Sequence, residues 1–435
     1  MTTDTSLLTC DAIVVGAGVI GSAIALELAR GGRSVIVVDS KGGPGHGSTS
    51  ASSAIIRFHY MHLTESALAW EAGQRYMQWE RHLGVVDPAG MAQFIQTGGM
   101  VLEGGGYDLE RMVSNLRSLG IEVRELSGPE IVEMYPGVDA GKYSPPAMPN
   151  DDHFWDDADG ELIAFHVASC GQMDDPQLAA NNLAYAATAN GAQFLFNRSV
   201  SDVVIEGGRV AGVELADGTR LMAPIVVNAA GPWSPQLNRM ANVLSDFTMS
   251  TRPMEQEVIS VPAPESFNLS NGTVITDPDV GTYFRPHQGG TIIVGGLEAD
   301  CDPVVFLDKP EDAIESVSAE TWNVQSLRLA RRIPDLVIPG RPSGIVGVYD
   351  VTEDWIPIYD RTSLDGFYVA IGTSGHGFKQ APYVGVLMAL LIDEVEGGRD
   401  HDNDPVLAVA DWTGVEVNIG HFSRLRDVQP QRGMG

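Results

Sequence analysis

A short apolar run, Ala12-Ile13-Val14-Val15, leads straight into Gly16-Ala17-Gly18-Val19-Ile20-Gly21, and Ile20, Ile24 and Leu28 then recur at four-residue spacing. Few folds accept that order. Gly16 permits a sharp turn, Gly18 lets the backbone close on a pyrophosphate, and Gly21 lets helix and strand approach. The helix N-terminus then points its unpaired N–H groups at phosphate. A second apolar run, Val35-Ile36-Val37-Val38, ends at Asp39. A carboxylate there accepts hydrogen bonds from a ribose with free hydroxyls and repels a 2′-phosphate. The pattern predicts strand, turn, helix and strand of an α/β nucleotide-binding domain, suited to FAD or NAD rather than NADP. The predicted cofactor residues in this stretch are Gly16, Gly18, Val19, Ile20, Gly21, Asp39, Ser40 and Lys41.

At 435 residues the chain is expected to fold into two or three lobes, each large enough for its own core. No apolar run is long enough to cross a bilayer, and Val384 to Ile392 reads as a buried helix. Met1 to Thr9 has neither a basic region nor a long apolar core, so no secretory signal is expected. Cys10, Cys170 and Cys301 lie far apart without metal-ligand spacing. That predicts reduced thiols in a cytoplasm and no bound metal. The net charge of −30 repels nucleic acid and anionic membranes, which are excluded as partners. Only four lysines stand against 23 arginines, which singles out Lys379 at the end of a second glycine turn, Gly372-Thr373-Ser374-Gly375-His376-Gly377-Phe378-Lys379.

After Asp39, the residues from Gly42 to Ser53 are almost all small, with His46 the one large side chain. Such a stretch either lies against a cofactor or forms a flexible linker. A helix is predicted from Gln177 to Asn190, stopped by Gly191, followed by hairpins at Gly207-Gly208 and Asp217-Gly218. The strand Ile225-Val226-Val227-Asn228 then runs into Ala229-Ala230-Gly231-Pro232-Trp233, where small residues allow another close backbone contact. Asp151 to Asp157 mixes acids with aromatics and reads as a lid, a contact surface or a solvated loop.

Taken together, these segments resemble the glycine oxidase, sarcosine oxidase and D-amino acid oxidase group of FAD-dependent oxidoreductases. The resemblance is carried by GAGVIG with Asp39, GSTS with Arg57, VVNAAGPWS, YFRP at Tyr283 to Pro286, and SGHGFKQAP at Ser374 to Pro382. It implies a Rossmann-like FAD domain assembled from 10–90, 150–243 and 344–396. A substrate domain on an antiparallel sheet would come from 91–149 and 244–343, with 397–435 as a C-terminal extension. The further cofactor residues implied are His46, Gly47, Ser48, Thr49, Val200, Ala229, Ala230, Gly231, Trp233, Gly375, His376, Gly377, Phe378 and Lys379. The helix after the second turn would face the flavin pyrimidine ring with its positive end, raising the flavin potential.

The resemblance also implies catalytic residues. Arg57 and Lys379 match positions that grip a substrate carboxylate from two sides. Tyr349 lies in a segment like the one that carries an active-site tyrosine, although a core tyrosine fits as well. His376 with Tyr349 would make a dry pocket that favours an uncharged amine, whereas His59, Tyr60 and Tyr283 read as packing. Some relatives attach flavin covalently where this chain has Gly347 or Ala51, so FAD is expected to bind without a covalent link. Relatives that react with oxygen carry a lysine where Ile292, Ile293 and Val294 stand. The implied reaction is oxidation of the C–N bond of a small amino acid or N-alkyl amino acid. Hydride transfer to flavin N5 gives an imine that water hydrolyses, and oxygen or another acceptor takes the electrons. An oligomer is compatible with the sequence. Three alternatives remain: a flavin-dependent 2-hydroxyacid dehydrogenase using His59 or His376 as base, a non-catalytic flavoprotein subunit or assembly factor, and an NAD-dependent dehydrogenase. The last leaves the second turn unexplained.

Overall fold

The computed structural model describes residues 7–429. Its first layer is a six-stranded sheet in the order Gln193–Leu195, Val35–Val38, Ala12–Val15, Ile225–Asn228, Phe367–Ile371 and Ile358–Arg361. All neighbours are parallel except the last pair. Strands Ala12–Val15, Val35–Val38, Ile225–Asn228 and Phe367–Ile371 are buried along their whole length. Both faces are covered, which is why they read as unbroken apolar runs rather than alternating ones.

Helix Val19–Arg30 packs between Pro176–Ala189 and Gly377–Glu396 on one face of this sheet. The other face meets a four-stranded sheet built from Leu7–Thr9, Arg220–Met222, Arg209–Leu215 and Val200–Glu206. There Val203, Val213 and Leu221 join Ile13, Val226 and Val369 in one core. Both predicted hairpins are present: Glu206 pairs with Arg209 across Gly207-Gly208, and Gly218 turns the chain before Arg220–Met222. The predicted helix at Gln177 begins one residue earlier, at Pro176. Proline suits a first helical position, and the Asp175 carboxylate caps the helix by accepting from Leu178 N at 2.9 Å.

The second layer is an eight-stranded sheet: Gly344–Val351, Arg252–Pro262, Thr291–Gly296, Thr282–His287, Val274–Asp277, Gly99–Leu102, Ala164–Val167 and Arg124–Leu126. Its pairs are antiparallel except Val274–Asp277 with Gly99–Leu102. Strands 164–167 and 344–351 thus share a sheet with strands from 91–149 and 244–343. Helix Ala319–Arg332 covers one face through Trp322 and Leu329, which pack with Ile259, Phe284 and Val294. The architecture is the α/β fold expected from the sequence: a Rossmann-like, mostly parallel sheet with helices on one face and a small sheet on the other, beside a larger, mostly antiparallel sheet.

Segment 151–157 forms a short turn at Asp152–Trp155 that buries Phe154 and leaves Trp155 63% exposed. The described part of the C-terminal extension adds a hairpin, Leu407–Val409 with Glu416–Asn418, and a final turn, Ile419–Phe422. Among the described residues no helix is long and apolar enough to cross a membrane, and no cluster of side chains suits a metal ion. Of the stretch Met1 to Thr9, residues 1–6 lie outside the described ones, as do 430–435 of the extension.

Candidate active site

A slot with a cavity of about 400 Å³ opens at the C-terminal ends of the parallel strands, where Val15, Val38, Ala229 and Ala370 form its floor. Thr276, Tyr283, Val348 and Tyr349 of the eight-stranded sheet close it from the other side. At one end the first glycine turn sits under strain that only glycine relieves. Gly16 has φ 108°, and a Cβ on it would lie 2.3 Å from the Ala229 carbonyl oxygen. A Cβ on Gly21 would lie 1.9 Å from the Gly16 oxygen, so Gly21 joins helix to turn and does not itself face the slot. Gly18, Val19 and Ile20 do face it.

Asp39 holds this end in shape: Oδ2 accepts from Ala17 N at 2.6 Å and Oδ1 from Lys41 N at 2.7 Å. Each oxygen keeps a lone pair for a ligand hydroxyl. Ser40, Lys41, Val200, Ala230, Gly231 and Trp233 line the same end, with the Lys41 ammonium 5.4 Å from the Trp233 ring. Segment 42–53 is a wall rather than a linker. Thr49 Oγ1 accepts from Val19 N at 3.1 Å, and Ser48 Oγ donates to Val348 O at 2.5 Å, bridging the two sheets. Gly47, Ser48 and Thr49 line the slot, whereas the His46 side chain is exposed and rests near Gly43. His46 therefore stands outside the cofactor wall.

The second turn forms the other end. Strand Phe367–Ile371 runs into Ser374, which takes φ 46° and donates its N–H to Asp350 O at 2.9 Å. Helix Gly377–Glu396 starts there, and Gly375, Gly377, Phe378 and Lys379 line the slot at its N-terminus. The His376 N–H is taken by Thr373 O at 2.7 Å, which leaves the N–H groups of the first helical turn and the positive end of the macrodipole at this end of the slot. Pro382, inside this helix, has no N–H to give the Phe378 carbonyl; the Tyr76 hydroxyl donates to that oxygen instead, at 2.6 Å.

Arg57 and Lys379 reach the same wall, 8% and 6% exposed. Arg57 Nη1 donates to His59 O, and its guanidinium lies 4.7 Å over the Tyr60 ring. Lys379 Nζ donates to Gly375 O at 3.2 Å. Among the described residues neither has a carboxylate within 4.0 Å. Burial, then the Arg57 charge, pushes the Lys379 pKa well below the usual lysine value. Two buried cations without an anion are costly, and an incoming carboxylate relieves that cost.

Tyr349 also lines the slot; burial first, then Tyr283 and Glu298, pushes its phenol pKa far up, so it stays protonated. Tyr283, read from sequence as packing, lines the slot and hydrogen-bonds Ser53 Oγ at 2.8 Å. His376 does not face the slot. Its ring packs edge-on to Tyr60 at 5.1 Å on the far side of the turn, and burial, then Lys379 and Arg57, holds it neutral. His59 and Tyr60 are buried outside the slot as well.

Two charged residues beside the slot were given no role from the sequence. Arg285 pairs across the strand from Ile293, donates Nε to Ser53 O at 2.7 Å, and has its pKa pushed down to about 10 by burial. Glu298 is buried at φ 53° next to the slot residue Leu297 and accepts from Gln256 Nε2 at 2.8 Å. The YFRP segment contains Arg285 without giving it a role, and no motif names Glu298; the pairing of distant strands brings them here.

The slot fits a long dinucleotide: a carboxylate for ribose, a glycine turn for pyrophosphate, and a second helix terminus at the far end where a redox ring would lie. Comparison with known proteins agrees. A family model described as "DAO: FAD dependent oxidoreductase" matches residues 11–391. The chain is 27% identical over 408 residues to glycine oxidase of Geobacillus kaustophilus, covering 90% of this chain and 94% of that protein. It is 24% identical over 395 residues to the pyruvate dehydrogenase phosphatase regulatory subunit of Mus musculus, covering 87% of this chain but 40% of that one. The crystal structure of L-proline dehydrogenase from P. horikoshii superposes with a TM-score of 0.76 at 21% identity, covering 96% of this chain and 98% of that one, a likeness of fold.

Proposed function

The chain belongs to the family of FAD dependent oxidoreductases, and on that premise we propose that it oxidises the C–N bond of a small amino acid or N-alkyl amino acid. The observation that carries this reading is the pair of buried cations, Arg57 and Lys379, facing the slot beside the second turn. The names of similar proteins, glycine oxidase and L-proline dehydrogenase, point to the same substrate class.

Gly16, Gly18 and the start of helix Val19–Arg30 would hold the FAD pyrophosphate, Asp39 the ribose, and Gly375, Gly377 and Phe378 the ring end. FAD, when bound, supplies the two-electron acceptor for a hydride. The zwitterionic substrate lays its carboxylate between the planar Arg57 fork and Lys379, which fixes the carbon to be oxidised. The substrate ammonium gives its proton to bulk water on entering the dry slot, which favours the uncharged amine. The nitrogen lone pair is then free to form C=N as the hydride leaves. The Lys379 ammonium and the Arg57 guanidinium together neutralise the substrate carboxylate. Water then hydrolyses the imine to a carbonyl compound and an amine.

A hydroxyacid substrate would need a base in the slot, and neither His59 nor His376 lines it. The test is anaerobic bleaching of the bound flavin by glycine, sarcosine, proline, D-amino acids and 2-hydroxyglutarate, followed by air. We expect an amine to bleach it. Bleaching by the hydroxyacid alone, or by nothing, would overturn the reading. The rate of recolouring in air distinguishes oxygen from another acceptor.

A further inference from the structure

Strand Gly344–Val351 brings to the slot a carboxylate that neither the clamp nor the pyrophosphate turn uses. Asp350 lines the slot next to Tyr349 and is 4% exposed. Its Oδ1 accepts from Thr373 Oγ1 at 2.8 Å, whereas its Oδ2 is buried and makes no hydrogen bond within the described part of the protein. Among the described residues no Arg, Lys or His nitrogen lies within 4.0 Å of either oxygen. Burial pushes the Asp350 pKa up, against the downward pull of hydrogen bonding by Thr373.

The second glycine turn fixes where this side chain stands. The Asp350 carbonyl accepts from Ser374 N at 2.9 Å, and Thr352 N donates to Ser374 Oγ at 3.2 Å. Ser374 Oγ donates in turn to Gly372 O at 3.0 Å. The end of the strand and the turn that starts helix Gly377–Glu396 are thus tied into one corner. That corner offers the slot two kinds of partner: N–H donors of the first helical turn and, as acceptor, Asp350 Oδ2. An amide side chain would accept from Thr373 equally well without a charge to desolvate, so bracing the turn does not explain a carboxylate here.

A carboxylate only accepts hydrogen bonds, so an occupant of this corner must present an N–H or O–H. The ring of oxidised FAD has a single N–H, at N3, flanked by the C2 and C4 carbonyls. Its edge reads acceptor, donor, acceptor, and the corner holds the complementary groups. We propose that Asp350 Oδ2 accepts the flavin N3–H while N–H groups of the first helical turn take a flanking carbonyl. The contact decides which edge of the ring enters the corner. The ribityl hydroxyls belong between ring and pyrophosphate, and a substrate amine follows its carboxylate to Arg57 and Lys379. The assignment rests on the placement of FAD given above and not on which substrate is oxidised.

The test compares FAD with 3-methyl-FAD, in which a methyl group replaces the N3 hydrogen. The full chain, freed of flavin, is titrated with each, and affinity is read from the change in flavin fluorescence without any turnover. A hydrogen bond to a charged group should make the parent bind FAD about tenfold or more tighter than 3-methyl-FAD, and Asp350→Ala should bind the two within about threefold. Thr373→Val breaks the bond at Oδ1 but leaves the carboxylate, so it should retain the preference of the parent. Equal affinity of the parent for the two flavins overturns the proposal with no variant needed. An undiminished preference in folded Asp350→Ala does so too. A preference lost equally in Thr373→Val would make Asp350 a brace for the turn and end the proposal as well. A parent that binds neither flavin would fail earlier, at the placement of FAD itself.

Discussion

Replacing Lys379 by Met tests the site with two readouts of opposite sign. The methionine keeps the volume of the lysine stem but removes a cation that is 6% exposed and, among the described residues, has only the Gly375 carbonyl as a hydrogen-bond partner. Truncating one partner of a buried charge pair costs about 2–5 kcal/mol. At about 1.4 kcal/mol per tenfold, kcat/KM for an amino acid should fall roughly 30- to several-thousand-fold. The same change should not destabilise the fold, because it relieves a buried positive charge beside Arg57. The pH dependence has a definite sign. With its folded pKa depressed, Lys379 binds fewer protons folded than unfolded in the window from that depressed value up to about 10.4. Parent stability therefore rises with pH across that window, and the slope should shrink in the variant. The assay compares kcat/KM for proline with that for pyrrolidine, which has no carboxylate, alongside thermal melts between pH 7 and 10.5. Equal losses on both substrates, or a large drop in Tm, would refute the clamp.

Arg57→Ala should raise KM for the amino acid sharply while the yellow absorbance of the purified protein persists; loss of flavin instead would place Arg57 in the cofactor cradle. Tyr76→Phe should lower stability by about 1–3 kcal/mol, measured by denaturant unfolding, because the Phe378 carbonyl loses its donor. An unchanged midpoint would mean that this carbonyl finds another partner. Trichloroacetic acid should leave a colourless pellet, since the positions of covalent attachment in relatives are Gly347 and Ala51 here. A yellow pellet would show a covalent link from some other side chain.

The cofactor half of the slot was legible because its elements are local. Ala12–Val15 and Val35–Val38 are buried on both faces and so read as apolar runs, and Gly21 is fixed by the nearby Gly16 oxygen, although Gly16 itself is fixed by the Ala229 carbonyl, remote in sequence. Other features were decided by partners remote in sequence. Whether 42–53 is a wall or a linker depends on Ser48 meeting Val348, 300 residues away. His376 was expected beside the substrate, but Tyr60 and Glu65 from other segments draw its ring to the far side of the turn. Glu298 owes its position to a left-handed backbone after strand Thr291–Gly296, which a glutamate does not advertise. Pro382 lies inside the long helix, and the donor that makes it tolerable there, Tyr76, comes from another helix.

The contrast between Arg57 and Lys379 inside and a net charge of −30 overall bears on traffic through the slot. A zwitterion arrives with no net charge, so the negative exterior does not oppose its approach, and it feels the cations only once inside. Chloride, acetate and dicarboxylates are repelled before they reach them. Under the proposed oxidation of an amino acid at its α-carbon, the 2-oxo acid that remains would be an anion. The field that was indifferent to the substrate then favours its departure, so the chemistry itself changes a guest that is admitted into one that is expelled. Salt, by shortening the reach of that field to about 10 Å at 0.1 M, weakens both the exclusion and the expulsion.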